Sequence, residues 1–279
     1  MRSFKDSNST KDKQLARYLW TLIIATIILA TSFFVYTSLT YVEVDKNFCP
    51  IKSSYGNSVI LFDNSDKNNE ITKDDIKNVL KNVKENLNKY ERLVIFSLND
   101  DPRNKIEPIF EICNPGNVDN LRFDQKTGLT ANPAMIEKKY NELFNKKVSK
   151  IISDMFNTKP SNTSPIFEMI QMVNVKVFKH AELKSGYSNR LIIISDLIQN
   201  TSKYSQYYES LAFNSFKEKK KNYLNSIWTN LDEVIVNLNY INREKNKNIQ
   251  TNKHINFWEN YFYDLNVSSN NLIIEKSGK

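Results

Sequence analysis

Glycine and histidine are scarce in this chain of 279 residues, which contains five glycines and two histidines. No glycine-rich run of the kind that cradles nucleotide phosphates occurs, which excludes a P-loop or a dinucleotide-binding motif. His180 and His254 lie in separate predicted helices, without a nearby cluster of cysteines or acidic residues. A zinc site or a histidine-based triad is therefore not expected. Since no other set of nucleophile, base and orienting group can be assembled, the sequence predicts a protein that is not an enzyme.

Charged residues are missing from residues 18–42, which are mostly aliphatic and aromatic. About 20 such residues, each rising ~1.5 Å along a helix, cross a bilayer. Trp20 near the start and Tyr36 and Tyr41 near the end are residues that favour the headgroup layers. The stretch predicts an uncleaved transmembrane helix. A cleaved signal peptide is the alternative, but the apolar run is longer than a signal core and lacks a small-x-small cleavage site.

The charges on the two sides of this helix predict its orientation. The tail, residues 1–17, contains five basic and two acidic residues, whereas the other side begins with Glu43 and Asp45. The positive-inside rule places the tail in the cytoplasm. Residues 43–57 are then a stalk, and residues 58–279 form an extracytoplasmic domain, which the composition and the anchor assign to the periplasmic side of a bacterial inner membrane.

Beyond the tail, 34 basic and 29 acidic residues leave a net charge of only +5, spread thinly. Such a surface gives no reason to expect nucleic acid as a partner. Cys49 and Cys113 are the only cysteines, and both follow the predicted membrane helix. In an oxidising compartment they are candidates for a disulfide, and two separate buried thiols are the alternative.

Strand and helix patterns alternate through the domain. Apolar runs predict six strands, at 58–63, 92–98, 108–113, 190–196, 233–240 and 271–275. The link between the second and third runs is too short for a parallel crossover, so these two strands are expected to pair antiparallel. The sequence therefore predicts an α/β fold, a doubly wound, mostly parallel six-stranded sheet with one antiparallel edge strand and helices on both faces.

Two of these strands end on an acidic residue, Asp63 and Asp196. If the first and fourth strands are neighbours, both acids flank the crevice at the carboxyl edge of the sheet, where ligands collect in such folds. Ser65 and Ser164 are expected beside them, and Ser164 is also the predicted N-cap of a helix that begins at Pro165. Carboxylate and hydroxyl oxygens suit a hard divalent cation such as Mg²⁺. Caps of neighbouring turns are the alternative role for the two acids.

These residues resemble a von Willebrand factor A-like domain over residues 58–275. That family has a metal ion-dependent adhesion site built from Asp-x-Ser-x-Ser after the first strand, a threonine or serine in a later loop and an aspartate after the fourth strand. Asp63 and Ser65 match the first two positions, Ser164 matches the hydroxyl and Asp196 matches the last. The resemblance implies that these four residues bind a metal ion.

The match departs from the family at Lys67, which stands where the second serine of the motif belongs. A protonated lysine cannot ligate a cation and its charge opposes one. Asp66, Ser161 and Thr163 are the nearby residues that would have to replace the missing hydroxyl.

The resulting hypothesis is a membrane-anchored module that binds a protein partner. A divalent cation, Mg²⁺ or else Mn²⁺ or Ca²⁺, is expected to bridge Asp63, Ser65, Ser164 and Asp196 to an acidic residue of that partner. A metal-free scaffold subunit of a membrane complex is the alternative, and a metal-assisted hydrolase on the same acids is a third. In the last predicted helix, 254–265, Trp258 and Phe262 are candidates for a partner-binding stripe, with core packing as the other interpretation.

Overall fold

The computed structural model of the chain describes residues 3–63, 65, 70–98, 107–119, 132–157, 161–179 and 182–277. The chain divides into two compact units, Met1–Glu43 and Val44–Lys279. The first unit is helix α1, Ser3–Thr40, which extends the predicted membrane helix into the tail. Within its segment Lys13–Leu39, an 18-residue window has a mean hydropathy of 2.1 and no buried residues, so the segment is long and apolar enough to cross a membrane.

The second unit is built on a six-stranded sheet with the order β3-β2-β1-β4-β5-β6. The strands are β1 Asn57–Asp63, β2 Arg92–Leu98, β3 Phe110–Cys113, β4 Asn189–Ser195, β5 Val234–Ile241 and β6 Leu272–Ser277. Among the described strands, only β2 and β3 pair antiparallel, and the other neighbours are parallel. The predicted fold class, including the antiparallel edge strand, is confirmed.

Helices cover both faces of the sheet, because the crossovers between parallel strands must pass above or below it. In chain order the helices of this unit are α2 Glu70–Glu85, α3 Pro133–Tyr140, α4 Lys146–Met155, α5 Ile166–Val173, α6 Phe213–Lys219, α7 Lys221–Ile227 and α8 Asn252–Asp264, with π-helical turns at Asn141–Asn145 and Asn174–Phe178 and 3₁₀ turns at Glu244–Asn246 and Ser269–Asn271. Helices α5 to α8 pack on one face and α2 and α4 on the other. Successive residues of β1 face opposite sides of the sheet, so Leu61 packs into the core on one side and Phe62 into the core on the other.

One helix differs from its prediction. The apolar pattern that follows the loop 199–205 predicts a single helix, but the structure has two, α6 and α7, separated at Lys220. Lys220 has φ −116° and ψ 27°, outside the helical region. At this break the side chain of Lys220 donates to the carbonyl oxygen of Lys203, 3.0 Å away.

The predicted stalk, 43–57, is wrong from Val44 onward, because this segment belongs to the domain. The backbone N–H of Cys113 at the end of β3 donates to the carbonyl of Asn47 at 2.9 Å, and Ser54 forms a β-bridge with Leu183. Cys49 and Cys113 are joined in a disulfide, with their Cα atoms 5.0 Å apart. These non-local bonds attach the segment to the amino edge of the sheet.

Candidate functional site

The first and fourth strands lie side by side at the centre of the sheet, as the sequence predicts. In the parallel pairing of β1 with β4, Phe62 is level with Ile194. Asp63 is therefore level with Ser195, and Asp196 lies one residue further along. Both acidic residues thus stand at the carboxyl edge of the two central strands, where ligands bind in folds of this kind.

Asp63 is the centre of a cluster of serines. The hydroxyls of Ser164 and Ser195 donate to its Oδ2 atom at 2.8 and 2.6 Å, and the backbone N–H of Ser65 donates to its Oδ1 atom at 2.9 Å. The residue is only 2% exposed. Three donors compensate for the loss of water around this carboxylate, which explains how a charged group is tolerated there. Ser65 and Ser164 are thus brought to Asp63, as predicted.

Ser195 is a member of this cluster that the sequence analysis missed. Its hydroxyl donates to Asp63 and accepts a hydrogen bond from the backbone N–H of Leu197 at 2.8 Å. Leu197 has a left-handed backbone with φ 58°, which is costly for a residue with a side chain. The Ser195 hydroxyl therefore holds the turn after β4 and orients the Asp63 carboxylate at the same time. Its position opposite Asp63 in the strand register is the signal that could have identified it.

Ser164 does not act as the helix cap that the sequence predicts. Helix α5 begins at Ile166, and the backbone N–H of Phe167 donates instead to the side-chain oxygen of Gln199 at 3.1 Å. The Ser164 hydroxyl is used by Asp63, and its backbone forms a two-hydrogen-bond bridge with Asn200. A side chain 32 positions away replaces the local cap, which leaves the serine hydroxyl for the site.

Asp196 faces a different set of groups. Its Oδ1 atom accepts a hydrogen bond from the backbone N–H of Ile198 at 3.0 Å. Its Oδ2 atom lies 3.4 Å from the side-chain nitrogen of Asn246 and 4.0 Å from Nε of Arg243. Both of these residues follow β5. Asp63 therefore ends β1 and Asp196 directly follows β4, but their carboxylates contact different elements.

Two hydroxyl residues that could replace the missing serine of the motif contact each other. The Ser161 hydroxyl donates to the carbonyl of Thr163 at 2.7 Å and accepts from the backbone N–H of Thr163 at 3.0 Å. Lys67 and Asp66, and also His180, lie outside the described residues.

The donor set around Asp63 fits a hard divalent cation rather than zinc. It consists of the carboxylate of Asp63 and the hydroxyl groups of Ser164 and Ser195, all of them oxygen donors, while Ser65 contacts Asp63 through its backbone N–H. Among the described residues, no group of three or more histidines, cysteines or acidic residues could hold a metal. A cation at this edge would therefore depend on Asp63 and on serine oxygens.

His254 lies buried behind the site and holds the turn after β4. Its Nδ1 atom is 2.7 Å from the hydroxyl of Tyr240, and its Nε2 atom is 3.1 Å from both the carbonyl of Leu197 and the side-chain oxygen of Gln206. These two oxygens can only accept, which favours a proton on Nε2 and leaves Nδ1 to accept from Tyr240. The indole nitrogen of Trp258 also lies 3.2 Å from Nε2, but its shorter bond, of 2.8 Å, is to the Leu197 carbonyl. Burial lowers the pKa of His254 to about 4. The imidazole is thus neutral in the folded protein.

This geometry predicts a stability loss at low pH. Because the pKa of His254 is about 4 in the folded state and its ordinary value is 6.5, the unfolded chain takes up the proton first. The contribution of neutral His254 to the free energy of unfolding is complete above pH 6.5. It is lost, by about 3 kcal/mol in total, as the pH falls from 6.5 to 4. Urea unfolding at pH 7 and pH 4.5 should show a smaller loss for His254→Gln than for the wild type. Equal losses in the two proteins would contradict this assignment.

The prediction that Trp258 and Phe262 bind a partner is wrong, since both side chains are 0% exposed. The indole N–H of Trp258 donates to the carbonyl of Leu197 at 2.8 Å, and its ring lies 5.0 Å from that of Phe167. Helix α8 packs against the sheet through these residues because its aromatic side chains recur at three- and four-residue steps. They belong to the core that supports the turn after β4.

No protein-family model matches the chain. No curated protein matches it either. Among solved structures, proximal thread matrix protein 1 from the mussel byssus, in its crystal form 2, matches with 11% sequence identity and a TM-score of 0.39 over 81% of this chain. The match spans 44% of that protein's chain, less than half of its length. Similarity at this level carries no information about what the chain does.

Proposed function

We propose that the protein is a membrane-anchored, extracytoplasmic protein-binding module with a von Willebrand factor A-like domain. The observation that carries the proposal is the cluster at the carboxyl edge of the two central strands, where Ser65, Ser164 and Ser195 surround the carboxylate of Asp63. Ligand sites of doubly wound sheets lie at this edge. In this assignment the domain belongs to a bacterial envelope assembly and binds a partner protein there.

Asp63, Ser65 and Ser164 are the residues that would hold a divalent cation, Mg²⁺ or else Mn²⁺ or Ca²⁺. Such a cation keeps coordination positions for an acidic residue of the partner. Ser195 orients the Asp63 carboxylate, because its hydroxyl is fixed between Asp63 and the backbone of Leu197. Asp196 stands further out and is oriented by Asn246 and Ile198.

The location in the bacterial inner membrane, with the domain in the periplasm, is supported by three features. Lys13–Leu39 is long and apolar enough to cross a membrane. The tail before it carries five basic and two acidic residues, a bias typical of the cytoplasmic side. The disulfide between Cys49 and Cys113 is of the kind that persists in an oxidising compartment.

A metal-free scaffold subunit is the second candidate, and one observation favours it. The Asp63 carboxylate already accepts three hydrogen bonds, and the Asp196 carboxylate lies 4.0 Å from Nε of Arg243. Groups that are satisfied by the protein itself do not need an ion. In this role the sheet edge and the anchor helix contribute assembly contacts alone.

Calorimetric titration with Mn²⁺ separates the two candidates. The proposed function predicts saturable binding to the full chain in detergent micelles and a loss of affinity of about tenfold or more in Asp63→Asn, which removes the charge but keeps the shape. Asp232→Asn, at an exposed loop position, is the matched control and should bind as the wild type does. Thermal melts confirm that each variant is folded. If the wild type gives only heats of dilution, the protein does not bind Mn²⁺ and the scaffold role is the candidate that remains.

A further inference from the structure

The segment between β4 and α6 contains a closed loop, residues 199–212, which we call the tyrosine loop. The backbone N–H of Gln206 donates to the carbonyl of Gln199 at 2.9 Å, and the side chain of Gln206 accepts from the N–H of Gln199 at 2.8 Å. The hydroxyl of Tyr204, a residue that is 2% exposed, donates to the carbonyl of Ser210 at 3.0 Å. The first two bonds close residues 199–206 around one buried aromatic ring, and the bond from Tyr204 ties the turn that follows, residues 207–210, onto this part of the loop.

Two further tyrosines of the same loop point outward. Tyr208 is 90% exposed and Tyr207 is 39% exposed, with ring centroids 6.3 Å apart. Tyrosine offers a large contact area at a small cost in side-chain entropy, and an already ordered loop adds little to that cost. Exposed aromatic residues on a preformed loop are typical of protein-binding surfaces.

The tyrosine loop is joined directly to the candidate cation site. The backbone of Ser164 and that of Asn200 exchange two hydrogen bonds, of 2.9 and 3.0 Å. The side chain of Ser164 donates to Asp63. One residue therefore connects the loop and the cluster, and a partner at the site would meet the loop as well.

The charges next to the loop indicate the partner's chemistry. Residues 199–221 contain five lysines and two glutamates, a net charge of +3. One of the glutamates, Glu209, is paired with Lys220 at 3.0 Å, and Lys220 also donates to the carbonyl of Lys203. Lys203, Lys219 and Lys221 are exposed. One further lysine of the segment is paired with an aspartate of α8, and the positive charge of the exposed lysines complements an acidic segment.

We propose that the tyrosine loop binds an acidic protein segment that places an apolar side chain against Tyr208. The inference rests on the proposed function in one respect, since it takes the carboxyl edge of the sheet as the partner-binding edge. It adds the chemistry of the partner, namely acidic residues for the lysines and an apolar residue for the tyrosine ring.

Selection from a phage-displayed library of random peptides tests this inference without knowledge of the partner. The full chain in lipid nanodiscs is the bait, in Mg²⁺ and in EDTA. We expect enrichment of peptides that combine acidic and apolar residues. Synthetic copies of these peptides should bind Tyr208→Ser at least about tenfold more weakly than the wild type. They should bind Tyr208→Phe nearly as well as the wild type, because the ring makes the contact. Tyr263→Ser is the matched control, since Tyr263 is 46% exposed on α8.

Two results would overturn the inference: no enriched peptide in either buffer, or peptides that bind Tyr208→Ser as tightly as the wild type. The two buffers distinguish this failure from failure of the proposed function. Peptides that need Tyr208 but bind equally well in EDTA would support the loop and remove the cation from the proposed function. Peptides that need Mg²⁺ but not Tyr208 would support the cation of the proposed function and would remove the tyrosine loop from the binding surface. Thermal melts of Tyr208→Ser should match the wild type, because the side chain is 90% exposed.

Discussion

Loss of the disulfide, by Cys49→Ala or by Cys113→Ala, is expected to lower the free energy of unfolding of the unit Val44–Lys279 by about 4 kcal/mol. The two cysteines are 64 residues apart in sequence, so the bond closes a long loop and removes much conformational freedom from the unfolded chain. In the folded state it holds the segment that begins at Val44 against the end of β3. Chemical denaturation of the unit, followed by tryptophan fluorescence, measures the loss.

The internal control for this prediction is to compare the stability of the two single variants with that of the double variant. Either substitution alone breaks the same bond, so the double variant Cys49→Ala/Cys113→Ala should be nearly as stable as the less stable single variant. The wild type in a reducing agent should approach the same stability. If the effects of the two substitutions add, they arise from lost packing around each side chain and not from the bond. Labelling of free thiols in denatured, unreduced wild type would contradict the pairing directly.

The sheet could be predicted because its strands are continuous apolar runs. All seven residues of β1 are buried, as expected of a strand that is covered on both faces. The apolar run in its sequence predicts such a strand directly. The start of α3 follows local rules in the same way, since Asn132 accepts a hydrogen bond from the N–H of Met135 and Pro133 occupies the first turn. In these elements the local pattern and the tertiary environment favour the same structure.

The candidate site could be predicted only in part, because its contacts are non-local. Asp63 and Ser164 were found from their positions at the ends of elements, and they do meet. Ser195 was missed because its role depends on the register between β1 and β4. The contacts of Asp196 depend on Asn246, which is 50 residues away and belongs to no motif. The segment after Val44 was misread as a stalk for the same reason, since a distant strand holds it.

A second large effect is expected for Trp258→Ala, which should lower the free energy of unfolding by about 3–5 kcal/mol. The indole ring is fully buried and lies within 6.2 Å of the rings of Phe167, Phe257, Tyr261 and Phe262. Its removal leaves a cavity, and it also removes the hydrogen bond from the indole N–H to the carbonyl of Leu197.

The matched control is Trp228→Ala, because Trp228 is 45% exposed and its indole N–H likewise donates to a backbone carbonyl, that of Asp264, at 3.0 Å. Trp228→Ala should lower the free energy of unfolding by about 1 kcal/mol, the usual contribution of one hydrogen bond. Leu197 directly follows Asp196. Its left-handed backbone is held by the bond that its carbonyl accepts from Trp258 and by the bond that its N–H donates to the Ser195 hydroxyl, so we also expect Trp258→Ala to loosen the edge of the sheet. Hydrogen exchange of the Leu197 and Ile198 amides should then rise in Trp258→Ala and stay unchanged in Trp228→Ala. Equal stabilities for the two variants would contradict the packing role assigned to Trp258.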